Sequence, residues 1–391
     1  MSININDLSR EILFISIVIY FSQGALYATG SMLSQAAIFL ILFISGIFSI
    51  KCLLLKYGYK RYYLLLILFL MINFFGFLLS DFSDPLYSAQ FKNILIALMP
   101  FFPFYYFAYK NRLTEKHLLR FFLIMIIIAI IRYYSNINST IAERISDNEN
   151  VVSNTAYLFV GILPYIFLWK EKKYIGFTSL VVILYFVIQS SKRGALLTGL
   201  IGAITFLYYQ LHTSPRRNRV KNYTTLAFGS SISAYVLYKF YISNEFLISR
   251  LENLQEGGSG RDIIYSSLWN NWLDSASIIN TLFGYGFMST PKFNAMGQLA
   301  HNDWLEVLTN YGIVGIVIYC LLITSLFPIA LNKKIKFELK LIMITIILMW
   351  LLRSMFSMYY TSINTIFSSI LIGYILGTYS KNKASNLSID C

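Results

Sequence analysis

The chain has 391 residues, of which 57% are hydrophobic and only 13% charged, and its mean hydropathy is +0.61. A water-soluble core cannot hide that much apolar surface, so soluble enzymes and soluble binding modules are excluded at once. The formal charge of +14 would point to nucleic acid in a soluble protein; here the placement of the charge matters more than its size.

In chain order, apolar runs of spanning length predict about twelve transmembrane helices, at roughly 11–28, 33–50, 62–80, 91–109, 118–135, 154–169, 174–190, 194–210, 222–241, 311–331, 341–358 and 362–379. Backbone groups in a bilayer must be satisfied within each segment, so the expected fold class is an all-α integral membrane protein. It is read as one polytopic domain over 1–391, with no internal repeat and one large loop at 242–310 between the ninth and tenth spans.

Basic residues cluster at every second connection: four in Lys51–Arg61, four in Lys110–Arg120, three in Lys170–Lys173, four in Arg216–Lys221 and four in Lys333–Lys340. The intervening "DFSDPLYSAQ" has none, and the stretch from Asn244 to Leu299 has three. The positive-inside rule then puts both termini in the cytoplasm and the long loop outside. The basic excess is topological and needs no nucleic-acid partner; the partner it implies is the lipid bilayer. The first apolar run is too long for a signal peptide and reads as an uncleaved helix. Cys52, Cys320 and Cys391 have neither partners outside nor metal-ligand spacing, so no metal and no cofactor is expected.

Four features face outward. "VIQSSKRGALLTGL" puts Lys192 and Arg193 in the short turn before the eighth span, with Ser190 or Ser191 placed to cap it and Arg193 in its first turn. A helix N-terminus with an arginine is an anion site. "SGRDIIYSSLWNNWLD" repeats the design, with Ser259 and Asp262 in capping-box spacing around Arg261. Ile264, Tyr265, Leu268, Trp269 and Trp272 form one face of the helix that follows, suited to the membrane interface. "LFGYGF" is a glycine-punctuated turn carrying Tyr285, and "HNDWLEVLTNYGIVG" opens a short helix ending at Gly312. Arg353 and Arg132 are two further outward arginines. A lone interfacial arginine usually reaches lipid phosphates, which is the reading for Arg132.

Of three histidines, His117 and His212 fall in cytoplasmic connections and only His301 faces outward. Imidazole is the side chain suited to exchanging a proton near neutral pH. The plain alternative for His301 is a polar anchor. For Asp303 and Glu306 it is helix capping, in which case asparagine at 303 serves as well as aspartate.

The order of these features resembles the O-antigen ligase and polymerase superfamily of bacterial envelope polysaccharide assembly. The resemblance rests on "SKRGALL" opening a span, "SGRDIIYSSLWNNWL" in a large late loop, "LFGYGF", and "HNDWLEVLTNYGIVGIVIY", and covers about residues 185 to 330. It implies a metal-independent glycosyltransferase of the bacterial inner membrane, using undecaprenyl-diphosphate-linked oligosaccharide on the periplasmic side. It assigns the diphosphate to Arg193 and Arg261 and acceptor activation to His301. Lys192, Arg353, Asn302 and Tyr285 are expected neighbours, the last two on the glycan. The leading expectation is an O-antigen polymerase, with a chain-length regulator protein as an expected partner. An O-antigen ligase acting on lipid A-core is the alternative. A flippase or transporter is a third reading, disfavoured because the spans carry few ionisable residues and no pseudo-symmetry.

Overall fold

The computed structural model describes residues 4–56, 58–80, 84–143, 153–213 and 260–387, together with isolated positions between 223 and 248. Ser259, Cys391, most of the expected span at 222–241 and the first part of the loop at 242–310 lie outside the described residues. The described chain is helical throughout: α1 Ile5–Ser22, α2 Met32–Leu53, α3 Lys60–Leu78, α4 Pro85–Leu98, α5 Phe101–Tyr109, α6 Glu115–Glu143, α7 Ala156–Ile162 with a 3-10 turn to Leu168, α8 Lys173–Gln189 and α9 Arg193–His212. After the gap come α10 Arg261–Leu273, α11 Ile278–Phe283, α12 Asp303–Thr324, α13 Phe327–Ala330, α14 Phe337–Phe356 and α15 Ile366–Leu387.

Among the described residues, eight helices are long and apolar enough to cross a membrane. They fall on eight of the twelve expected spans. Ala156–Leu168 and Lys173–Gln189 are apolar but shorter, and α1 carries Asp7, Arg10 and Glu11 in its first two turns. Helix starts follow local chemistry. Asp84 caps α4 by accepting from the Leu86 amide at 2.8 Å, and Pro85 takes the position whose amide would be unpaired in any case.

The chain divides into two compact units. The first comprises 1–44, 111–252 and 336–349. Its core is aromatic: Phe14 lies 5.0 Å from Phe121, and Phe159 stacks on Phe186 at 4.9 Å. Residues of the basic connections pair at its edge, Lys170 with Glu115 at 2.6 Å and Arg112 with Asp7 at 3.1 Å. Such part-exposed pairs add little stability.

The second unit comprises 45–110, 253–335 and 350–391. In it α5 packs against α15, where Gly373 and Gly377 lie directly against the backbone of Phe101 and Tyr105. Small residues one turn apart are what let two membrane helices approach this closely.

α12 is broken at Gly312, whose φ of 61° and ψ of −157° are non-helical. Only glycine adopts that region without strain. A Cβ there would also run into the backbone of Thr281 and Leu282 in α11. Gly312→Ala is expected to destabilise the protein by about 1–3 kcal/mol from backbone conformation alone. Thermal unfolding in detergent reads the effect, and an unchanged midpoint would contradict this account of the break.

Candidate functional site

The site forms where α10, the start of α12 and the end of α14 meet, all within the second unit. His301 holds a left-handed φ of 52° immediately before α12. Asn302 is the helix cap: its Oδ1 accepts from the amides of Trp304 at 2.9 Å and Leu305 at 3.1 Å. Its Nδ2 donates to the Met355 carbonyl at 3.1 Å. Arg261 donates from Nη1 to the adjacent Phe356 carbonyl at 2.8 Å. The last carbonyls of α14 have no intrahelical donor, and these two side chains satisfy them. One site thereby gains its geometry from three distant segments.

Arg353 stands in the last turn of α14, buried, with Nη2 donating to Ser362 Oγ at 2.5 Å and its guanidinium 5.7 Å from the Tyr359 ring. His301, Asn302, Arg261 and Arg353 are thus gathered about the C-terminal end of one helix. A guanidinium carries five N–H donors, so the bond from Arg261 to the Phe356 carbonyl leaves donor capacity for an anion.

The turn bearing His301 is held from several sides. Tyr265 donates from its hydroxyl to the His301 carbonyl at 3.4 Å. Burial raises the Tyr265 phenol above its ordinary value while Arg261 pulls it down, so it remains protonated and a donor at neutral pH. Ile264 and Leu268 bury themselves against Ala300, with Tyr265, Phe293 and Leu305 around them. Only those two residues of the expected α10 face are buried. Trp269 is exposed.

Asp303 and Glu306 are not caps. Asp303 is the first residue of α12 and wholly buried. Its Oδ2 accepts from Tyr319 at 2.8 Å, Ser354 at 3.0 Å and the amide of Tyr359 at 3.0 Å, and Trp350 donates on to Tyr319 at 2.7 Å. Glu306 is 1% exposed and accepts from Thr290 at 2.8 Å, from Asn310 at 3.3 Å and from the Ala300 amide at 3.1 Å. Each carboxyl group is surrounded by N–H and O–H donors, the condition for burying one. Two acids one turn apart inside an apolar helix were the visible signal for this role. Capping reads the same signal differently, and the structure decides for burial.

The other expected residues sort as follows. Tyr285 donates to the Asn271 carbonyl at 2.9 Å and its ring lies 4.2 Å from Phe293, which ties the "LFGYGF" turn to α10. Arg193 is the first residue of α9 and half-buried, as the sequence implies. The cap position before it is Lys192, which makes no side-chain capping bond and lies 5.9 Å from the Tyr157 ring. Ser190 instead closes α8, with Oγ bonded back to Phe186. Arg193 and Lys192 belong to the first unit and are described within it. Arg132 lies half-exposed within α6, in the same unit. Among the described residues no group of His, Cys, Asp and Glu has the makings of a metal site.

No protein-family model matches the chain, and no curated protein is similar to it in sequence.

Proposed function

We propose that this protein is an envelope-polysaccharide polymerase of the O-antigen type. It moves a growing glycan from undecaprenyl diphosphate onto the next lipid-linked repeat unit, at the outer face of the bacterial inner membrane, with about twelve spans and both termini in the cytoplasm. One observation carries the reading: the turn of His301, whose neighbour Asn302 bonds the Met355 carbonyl, meets the end of α14 beside two arginines, Arg261 and Arg353. The sequence resemblance adds Arg193 and Lys192 as further cations for the donor.

The residues suit the reaction. Diphosphate is already a good leaving group, so the donor needs its departing charge neutralised more than it needs an acid. The acceptor hydroxyl needs a base as it attacks. In the proposed step His301 takes that proton, the acceptor oxygen bonds the anomeric carbon, and the bond to phosphate breaks with release of undecaprenyl diphosphate. A single displacement predicts inversion at that carbon. Asn302 and Tyr285 stand beside the glycan in this reading, and a chain-length regulator is the protein partner.

The lipopolysaccharide ladder of a strain lacking this protein tests the proposal. A single-repeat band on core is the expected result. Long chains stranded on undecaprenyl diphosphate, with none on core, would replace polymerase by ligase, and an unchanged ladder would remove both. In transfer assays, Arg261→Ala and Arg193→Ala are each expected to lose roughly ten- to a hundred-fold in rate, the equivalent of one or two charge-assisted hydrogen bonds. Lysine should restore only part, because it lacks the planar fork that grips phosphate. Full activity in both alanine variants would leave the diphosphate without its proposed ligands.

A further inference from the structure

α11 is six residues long, yet Ile278 is 77% exposed, Ile279 69%, Phe283 59% and Leu282 38%. Leu273, at the end of α10, is 57% exposed beside it in sequence. A six-residue helix is far too short to span a bilayer, and a strongly apolar surface of this kind is unusual unless something covers it.

What covers it follows from where α11 is packed. The backbone of Leu282 lies against Gly312, and Gly284 lies against Asn310 and Tyr311. α11 is therefore seated at the break in α12. The span that begins with α12 runs from Asp303 to Ala330, 28 residues; the part after the break at Gly312 alone would make about 27 Å of helix, close to a hydrocarbon thickness of about 30 Å. The part before the break contains both acids of the segment, Asp303 and Glu306, and from Asp303 to Gly312 no residue is exposed. Immediately after the break, Ile313, Val317 and Leu321 are exposed at successive turns, 40%, 48% and 40%. A single apolar stripe one turn apart on a spanning helix is its lipid-facing side. The hydrocarbon boundary thus lies near Gly312, and Thr281 and Leu282 of α11 sit at that level.

We infer that α11 is a membrane-inserted wedge whose exposed face is covered by the acyl chains of the adjoining leaflet. The polar connection before it, Asp274–Ser277, stays in water: Asp274 is exposed, and Ser277 caps α11 by accepting from the Asn280 amide at 3.4 Å. Helices that lie in the interface bury an apolar face to about 5–10 Å, a depth that side chains at the level of Gly312 reach. This inference rests on the membrane class of the protein and is independent of the proposed transfer reaction.

Spin labels test it on the full chain, reconstituted in vesicles of phosphatidylethanolamine and phosphatidylglycerol, with Cys52, Cys320 and Cys391 replaced by alanine. Labels are placed singly at Ile279→Cys and Phe283→Cys, with Leu321→Cys as the lipid reference and Asp274→Cys as the water reference. The expected result is a ratio of oxygen to water-soluble nickel-complex accessibility at 279 and 283 that matches 321 and exceeds 274 several-fold. A ratio at 279 and 283 equal to that at 274 would overturn the inference. So would dipolar broadening that vanishes on dilution with unlabelled protein, because a second copy would then be the occupant.

Discussion

Replacing Asp303 with alanine is expected to destabilise the protein by on the order of 3–5 kcal/mol. The carboxylate is the common acceptor for the Tyr319 and Ser354 hydroxyls and the Tyr359 amide, all in a wholly buried environment. Removing it strands a buried backbone N–H and one hydroxyl donor, since Tyr319 and Ser354 bond each other at 2.9 Å and only one of them can donate there, and each unsatisfied group costs about 1–3 kcal/mol. A loss on the order of 3–5 kcal/mol is a large part of what holds a domain folded. Asparagine is the informative comparison. Its oxygen can stand in for Oδ2, but its amide nitrogen then faces the Tyr359 N–H, donor against donor, where Oδ1 accepts at 3.1 Å. Asp303→Asn should therefore lie between wild type and alanine, lower by about 1–3 kcal/mol. A capping role demands the opposite, since asparagine caps as well as aspartate. Unfolding midpoints in detergent decide between them, and wild-type stability in Asp303→Asn would restore the capping reading.

His301→Ala is expected to lower glycan transfer by on the order of a hundred- to ten-thousand-fold, the usual contribution of a general base. Donor lipid should still bind, because arginines rather than the imidazole are assigned to the diphosphate. Alanine keeps the Cβ that histidine already holds at a φ of 52°, so this variant removes the imidazole alone, whereas His301→Gly also relaxes the backbone. Added imidazole should recover part of the transfer rate in the glycine variant, an effect that a purely structural histidine would not show. Near-normal rates in both variants would leave His301 as an anchor for the turn that Tyr265 and Ala300 already hold.

What the residues reveal unaided about this protein depends on how local each feature is. A run of some twenty apolar residues is a property of one segment, so the membrane class, eight of the spans and their approximate limits are legible without any tertiary contact. The α10 helix, the break near Gly312 and the placement of Arg193 in a first helical turn are also short-range and also emerge from the chain alone. Asp303 and Glu306 show the limit. Helix-start spacing around them is compatible with capping, and nothing within a turn of Asp303 reveals that Ser354 and Tyr359, more than fifty residues on, supply its donors. The same holds for Asn302 and Arg261, whose side chains find carbonyls of Met355 and Phe356, and for α11, whose six residues signal only a turn until packing seats them against Gly312. Burial, and the pairing of buried polar groups, are set by which segments the fold brings together, and only the tertiary structure decides that.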